Sequence, residues 1–305
     1  GELPPLREVP GVAGWAGSQP IRVGNDASGQ IQYDAPGLLV EAISVYLQTG
    51  GTLDPDTWTM VGDLADEIAR DDPESPKCSH GIWEQPEPSM LVDGDIGRWL
   101  VLDRAVKIGR VLHPVSSRRR RRAWVAARDT IAARIREAVP TQGPLPQAYG
   151  QDPPRADAAS LMAVVFGLLD PRQERTRRLV HDTIEALQDY PFLYRYPPDA
   201  TDGYHGREGA FLPVSFWAVT AQAIVGDVTA AQARMDALCA SLPRLLSEEI
   251  DPVDGTALGN VPLLWTHAEF ARALYVLDAA QLRARWGRAV LWTWRIVRYL
   301  QLRYR

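Results

Sequence analysis

The chain has 305 residues, of which 46% are hydrophobic and 23% are charged, and its formal net charge at pH 7 is −5. This composition is typical of a globular protein with a substantial apolar core, and it lacks the net basic charge that nucleic-acid-binding proteins usually carry. No run of about twenty apolar residues is free of charge, so no segment is predicted to span a membrane.

Most of the chain is predicted to be helical. Residues 1 to 26 are rich in Pro and Gly and are predicted to form a loop. Apolar residues then recur at helical spacing from Leu38 to Tyr46, and Asp54 before Pro55 indicates the start of a second helix. Similar patterns predict the remaining helices at 96–112, 121–139, 157–169, 171–189, 213–226, 228–247 and 261–281.

The connections between these helices are the second feature of the pattern. Asp170 and Asp227 precede predicted helices and are expected to cap them. Only residues 192–197, with the sequence FLYRYP, resemble a strand. Because the long loops carry most of the unusual Trp, Arg and Glu residues, we expect an all-α protein whose site lies at one end of a helical barrel or solenoid.

The two cysteines and the N-terminal residues limit the expected disulfides, metal sites and location of the protein. Cys78 and Cys239 are too few and too far apart to form a disulfide framework or a metal-binding motif. The chain starts at Gly1, and no charged segment followed by an apolar one is visible near it. In the absence of a visible signal peptide, a cytoplasmic location is expected.

Two groups of carboxylates are candidates for chemistry. Glu84 directly follows Trp83 in the loop segment HGIWE, and Glu248 and Glu249 follow a long predicted helix in LLSEEID. Two carboxylates on separate loops suit glycoside hydrolysis, in which one donates a proton to the leaving oxygen and the other accepts one from water. The simpler interpretation is a half-buried Trp83 beside a solvated Glu84.

Several segments, in order along the chain, resemble glycoside hydrolase family 15, the group of glucoamylases, glucodextranases and bacterial trehalases. The resemblance covers about Gly14 to Leu274. The segments that carry it are GWAGSQPIRVGNDASGQIQYDAPG, HGIWE, LVLDRAVKIG, QAYGQDPPRADAAS, LYRYPPDATDGYHGREGAFLPVSFW and LLSEEIDPVDGTALGNVPLLWTHAEF.

The resemblance implies an (α/α)6 barrel, apparently incomplete at its N-terminus, and inverting hydrolysis of terminal α-glucosidic bonds in trehalose or α-glucan oligosaccharides. Glu84 would be the general acid and Glu248 the general base. Trp83 would wall the innermost sugar subsite and raise the proton affinity of Glu84 by burying it. The substrate-binding residues would be Trp83, Arg195, Tyr196 and Glu208. The resemblance implies a disaccharide or oligosaccharide substrate, with no metal and no other cofactor.

The chain also departs from the family pattern. A Trp-x-Arg-Asp motif that grips the terminal glucose is absent, and Asp93 and Asp95 stand where the family usually has a Thr-His-Ser-Lys run. These differences leave open a non-catalytic relative, or an inactive fragment, that binds sugar or a partner.

The domain organisation implied by the match is a partial glycoside hydrolase domain over residues 1–282, followed by a basic amphipathic helix over 283–305. This tail has seven Arg and no acidic residue. Such a helix can lie on an anionic membrane surface, and a helical membrane-surface module is therefore a third interpretation. The alternative for the tail is a terminal helix packed against the barrel.

Overall fold

The structure is a computed structural model that describes residues 5–198 and 208–303. Over these residues the protein is mainly helical, with a few two-residue strands. None of the described helices is long and apolar enough to cross a lipid bilayer. The helices are α1 Asp34–Gln48, α2 Pro55–Arg70, α3 Val92–Leu112, α4 Arg118–Ala138, α5 Met162–Val165, α6 Glu174–Leu187, α7 Leu212–Val225, α8 Val228–Ser241 and α9 Leu264–Arg303.

The start of α2 follows from its first residues. The Asp54 side chain accepts a hydrogen bond of 2.9 Å from the backbone N–H of Thr57, and Pro55 occupies the first helical position. Proline has no N–H to leave unsatisfied there, so the two residues together define the helix start. The predicted cap at Asp54 is confirmed.

Two helices, α3 and α7, are buried nearly all round and form the centre of the core. A helix with apolar residues on every side belongs inside a protein, with other helices covering it. Helices α1, α2 and α4 pack on α3, while α5, α6, α8 and α9 pack on α7. Gly37 and Gly97 allow α1 and α3 to pack closely against each other. A Cβ at Gly97 would lie 2.2 Å from the Tyr33 carbonyl oxygen.

The structure corrects the predictions for residues 157 to 189. The predicted helix 157–169 is a 3-10 helix, Ala158–Leu161, followed by the short α5, because Gly167 adopts a left-handed φ of 82° soon after. The predicted helix 171–189 is α6, which begins only at Glu174 with Gln173 as its N-cap residue. Asp170 is therefore not its cap; it pairs with Arg172 in the preceding turn.

The C-terminal predictions also need correction. Helix α8 ends at Ser241 rather than at 247, and Asp227 occupies its N-cap position without a side-chain cap hydrogen bond. The predicted helix 261–281 is the first part of α9, which continues to Arg303. Gly287, with φ 79° and ψ 177°, interrupts α9 and divides it into two helical stretches. The last two residues, 304 and 305, lie outside the described part of the chain.

Short strands fix the loops between helices. The predicted strand 192–197 is a two-residue strand β4, Phe192–Leu193, paired antiparallel with β3, Gln188–Asp189. A three-stranded antiparallel sheet joins β5 Ala210–Phe211, β6 Glu249–Ile250 and β7 Ala257–Leu258. Near the N-terminus, where a loop was predicted, β1 Arg7–Glu8 pairs with β2 Arg22–Val23. The three-stranded sheet places Glu249 opposite Phe211, at the N-terminal end of α7.

Candidate active site

A tight turn carries Glu84. Gly81 and Glu84 both have left-handed φ angles, of 68° and 54°, and the Glu84 N–H donates to the Gly81 carbonyl over 3.2 Å. A Cβ at Gly81 would lie 2.5 Å from the Leu91 side chain, so only glycine fits that position. A left-handed conformation is costly for a residue such as Glu84, and it persists only where the surroundings enforce it.

The environment of Glu84 differs from the expectation. Glu84 is exposed in the structure, whereas burial against Trp83 was expected to raise its proton affinity. The reason is that the turn directs the two residues apart, with Trp83 in the core and Glu84 at the surface. Gln30 donates to the Glu84 carbonyl over 3.3 Å, and the nearby charge of Glu84 contributes to the raised pKa of Asp34.

Trp83 is only 4% exposed and belongs to a cluster of aromatic side chains. Its ring centroid lies 5.5 Å from that of Phe211, 6.4 Å from that of Trp265 and 6.5 Å from that of Trp217. The indole N–H donates to Asp157 Oδ1 over 2.8 Å, which satisfies the polar end of the buried ring. The cluster joins the turn to the start of α7 and to α9.

Arg195 links this aromatic cluster to two carboxylates. Its Nε donates to Glu208 Oε1 over 2.6 Å, and its Nη2 lies 3.4 Å from Glu249 Oε1. The guanidinium carbon sits 5.8 Å from the ring centroid of Trp83. Tyr196 completes the group, since its hydroxyl donates to Glu208 Oε2 over 3.3 Å. A planar guanidinium held by carboxylates and aromatic faces has a fixed orientation, which suits recognition of sugar hydroxyls.

Glu248, which directly precedes β6, and Glu249, its first residue, have different surroundings. Glu248 Oε2 accepts hydrogen bonds from the Asn260 backbone N–H, over 3.0 Å, and from its side-chain amide, over 2.8 Å. Glu249 instead contacts Arg195 and accepts from the Gly209 N–H over 3.3 Å. Successive side chains along a strand point to opposite faces, which accounts for the separation.

The pKa of Glu249 is raised to about 7. Burial is the largest cause, and the negative charges of Glu208 and Glu248 add to it, whereas Arg195 lowers the value. A group with such a pKa exchanges a proton in the neutral range. The sequence interpretation left Glu249 aside, and only its position beside Arg195 reveals its involvement.

The structure therefore brings together five side chains of the candidate site: Trp83, Arg195, Tyr196, Glu208 and Glu249. The two predicted catalytic residues, Glu84 and Glu248, are the sequence neighbours of members of this cluster. Their loops meet there through contacts between Trp83, Arg195 and Phe211.

Buried carboxylates behind the turn escaped the sequence reasoning. Asp93 and Asp157 are 6% and 5% exposed, and each accepts hydrogen bonds from the turn or its neighbours. Burial and the charge of Asp157 raise the pKa of Asp93 to about 7, and burial likewise raises the pKa of Asp157. Burial is also the chief cause that raises the pKa of Asp34 to about 6. The sequence signal was the unusual pair of aspartates in LVDGD.

No group of three or more His, Cys, Asp or Glu side chains within 5–198 and 208–303 has the arrangement to hold a metal ion. The polar side chains around Arg195 are satisfied by one another through hydrogen bonds and ion pairs.

The fold and the site define a glycosidase-type helical barrel, and the family is shown by comparison of sequences. Residues 4–241 match the family described as glycosyl hydrolases family 15, and the chain belongs to this family. The similarity includes the Gly81–Glu84 turn and the segment from Arg195 to Glu208.

Curated relatives are trehalases. The chain is 30% identical over 282 residues to a trehalase of Mycolicibacterium smegmatis, with 91% of this chain and 41% of that protein covered. It is 29% identical over 280 residues to a trehalase of Thermoplasma acidophilum, covering 88% of this chain and 46% of that protein. The chain thus spans less than half the length of these relatives.

Solved structures share the fold. A glycosidase variant in complex with glucose matches with a TM-score of 0.65 and 20% identity, covering 86% of this chain and 72% of that one. A bacterial glucoamylase complexed with acarbose matches with a TM-score of 0.64 and 15% identity, covering 82% of this chain and 41% of that one. These matches confirm the predicted (α/α)6 barrel fold class.

Proposed function

We propose that this protein hydrolyses terminal α-glucosidic bonds with inversion at the anomeric carbon, with Glu84 as the general acid and Glu248 as the general base. The observation that carries the proposal is the Arg195 cluster, which joins the loop bearing Glu84 to the hairpin bearing Glu248. An inverting pair needs its carboxyl groups on two elements, because a water molecule and the sugar must fit between them.

The two glutamates have surroundings that suit different tasks. Asn260 gives Glu248 two N–H hydrogen bonds, which hold the carboxylate of the proposed base in one orientation. Glu84 is exposed without substrate, and a bound sugar would cover it.

The cluster around Arg195 would hold the sugar. Arg195 and Tyr196 carry hydrogen-bond donors for ring hydroxyls, and Glu208 and Glu249 carry acceptors while fixing the guanidinium. Trp83 packs against the guanidinium of Arg195 and would help to orient it. The indole itself is buried, so it would not contact the sugar directly. The similarity to trehalases favours trehalose as the disaccharide substrate, and α-glucan oligosaccharides are the alternative.

The test compares the purified chain with Glu84→Gln and with Glu87→Gln, a matched change at an exposed glutamate three residues away. Glu84→Gln is expected to lower kcat on trehalose or maltotriose by about 10²- to 10⁴-fold, since the amide cannot donate the proton. Glu87→Gln should retain the parent rate. Proton NMR of the first glucose released from maltotriose should show the β-anomer, and trehalose should give α- and β-glucose in equal amounts, because only the attacked ring is inverted; α-glucose alone from either substrate would contradict inversion.

We also propose a membrane-surface contact for the end of α9. The side chains of Trp286, Val290, Trp292, Ile296 and Val297 are exposed, and Trp292 has 69% of its surface accessible. Exposed tryptophans beside arginines are typical of helices that lie at an anionic lipid interface. Contact with such a surface would localise the enzyme without using any residue of the sugar site.

A further inference from the structure

Asp93 holds the backbone of the Gly81–Glu84 turn. Its Oδ2 accepts a hydrogen bond of 2.8 Å from the Ile82 N–H, and its Oδ1 accepts one of 2.8 Å from the Gly94 N–H. Asp93 is the second residue of α3, the most buried helix of the N-terminal half. The hydrogen bond therefore attaches the turn to the rigid core, two residues before Glu84.

Asp157 holds the side chain of the same turn. Its Oδ1 accepts from the Trp83 indole N–H over 2.8 Å and from the Ala159 N–H over 2.7 Å. Its Oδ2 accepts from the Gln147 side-chain amide over 2.8 Å. Three donors thus fix the carboxylate, and the carboxylate in turn fixes the plane of the indole that precedes Glu84.

Burial of the Asp93 and Asp157 carboxyl groups lowers the free energy of unfolding. No Lys, Arg or His of residues 5–198 and 208–303 forms an ion pair within 4 Å of Asp93 or Asp157. Buried carboxyl groups without such partners resist ionisation, which is consistent with the raised pKa of both. Asp34 on α1 is, after Asp157, the second carboxyl group whose charge acts on Asp93.

The burial of Asp93 and Asp157 is explained by the backbone conformation of the Gly81–Glu84 turn, which the two side chains maintain. Glu84 has a left-handed φ of 54°, and the backbone would otherwise relax to a more favourable conformation. Two buried carboxyl groups accept hydrogen bonds from the turn, Asp93 from the Ile82 N–H and Asp157 from the Trp83 indole N–H, and they give the turn two fixed points immediately before Glu84.

We propose that Asp93 and Asp157 are positioning residues for the general acid, which hold the Gly81–Glu84 turn so that the Glu84 carboxyl meets the glycosidic oxygen. The proposal rests on the proposed role of Glu84 as the acid. Neither aspartate touches the substrate or transfers a proton to it. They act through Ile82 and Trp83, and a displacement of the carboxyl by about 1 Å is enough to cost around 100-fold in rate.

The test uses substrates that differ in their need for acid. Trehalose has a poor leaving group that must be protonated, whereas 2,4-dinitrophenyl α-glucoside has one that leaves as an anion. Asp93→Asn is expected to lower kcat on trehalose by about 10- to 100-fold with KM little changed, and to lower kcat on the aryl glucoside much less. Asp170→Asn, at a partly exposed aspartate paired with Arg172, is the matched control and should change neither.

A second measurement is independent of activity. Amide hydrogen exchange at Ile82, followed by NMR on the full chain, should be at least about tenfold faster in Asp93→Asn, since the hydrogen-bond acceptor is weakened. Asp157→Asn should shift the Trp83 indole N–H resonance. This variant is expected to fold, because rotation of the Gln147 amide restores its hydrogen bond.

Two outcomes would overturn the proposal: unchanged exchange at Ile82 in Asp93→Asn, or equal loss of kcat on both substrates. Equal losses would mean that the aspartate supports the fold in general rather than the acid. A parent chain that hydrolyses neither substrate would contradict the proposed function instead, and the exchange at Ile82 would then decide alone whether Asp93 fixes the turn.

Discussion

The Nη2 of Arg195 lies 3.4 Å from Oε1 of Glu249, so the second glutamate of the SEEID segment, and not the first, faces the guanidinium. Glu248 is held instead by Asn260. The pair thus separates into a carboxyl group that orients an arginine and one that is held by an asparagine. Their assignment can be tested residue by residue.

Replacing each glutamate with glutamine should have different kinetic consequences. Glu248→Gln removes the proposed base and should lower kcat by about 10²- to 10⁴-fold. Glu249→Gln should mainly raise KM, because it removes a charge that orients Arg195 while leaving the base in place. Steady-state kinetics on trehalose with both variants gives the comparison. A larger loss of kcat in Glu249→Gln would reverse the assignment.

Arg195→Lys tests the geometry of the guanidinium. Lysine keeps the positive charge but lacks the planar, rigid guanidinium that contacts Glu208 and Glu249 in a fixed geometry. We expect at least about a tenfold rise in KM, with the melting temperature changed by only a few degrees. Arg172→Lys, at an exposed arginine, is the matched control. An unchanged KM in Arg195→Lys would show that charge alone is sufficient.

The stability of the fold should fall as the pH rises towards neutrality. The pKa of Asp93 is raised from an ordinary 3.8 to about 7, and that of Glu249 from 4.5 to about 7. Between the ordinary and the raised pKa values, the folded state binds more protons than the unfolded state. The stability that these two carboxyl groups contribute is therefore complete below about pH 4, and it is lost as the pH rises through about 7.

Thermal melts at pH 5, 6, 7 and 8 measure this effect. The melting temperature of the parent chain should decline between pH 5 and pH 7, and the decline should be shallower in Asp93→Asn, whose amide does not ionise. Asp170 has a lowered pKa of about 2, mainly through hydrogen bonds from Arg172, so it stays ionised in this range. Asp170→Asn should therefore retain the parent slope, and an equal slope in Asp93→Asn would contradict the assignment.

Removal of residues 283–305 tests the surface contact of α9. Flotation with vesicles of anionic lipid at low salt should recover the full chain but not the shortened one, and high salt should weaken the binding. Neutral vesicles are the control. Equal and negligible binding by both chains would exclude the contact. Loss of solubility on removal would instead favour the interpretation of a helix packed against the barrel.

How much the sequence reveals depends on the range of the interactions involved. Asp54 and Pro55 mark the start of α2 because a cap is a local contact within four residues. The start of α6 is not predictable in this way, since Asp170 has the right chemistry for a cap but binds Arg172. The two-residue strands of the site hairpin are too short to show any alternation of polar and apolar residues.

The candidate site shows the same limit. The resemblance to a family identified Trp83, Arg195, Tyr196 and Glu208, and the structure brings these four side chains together. The partner of the Trp83 indole is Asp157, 74 positions further along the chain. No local pattern connects residues so far apart, because their contact is decided by the packing of α3 and α7 around a common core.

The hairpin that holds Glu248 and Glu249 has an evolutionary consequence. Neighbouring side chains on β6 face opposite ways, and β6 is aligned residue by residue with β5 and β7. Inserting or deleting one residue within β6 would exchange the two carboxylates between the arginine and the asparagine. Changes of chain length are therefore expected to be tolerated in the loop beyond Ile250 and to be harmful inside the strand.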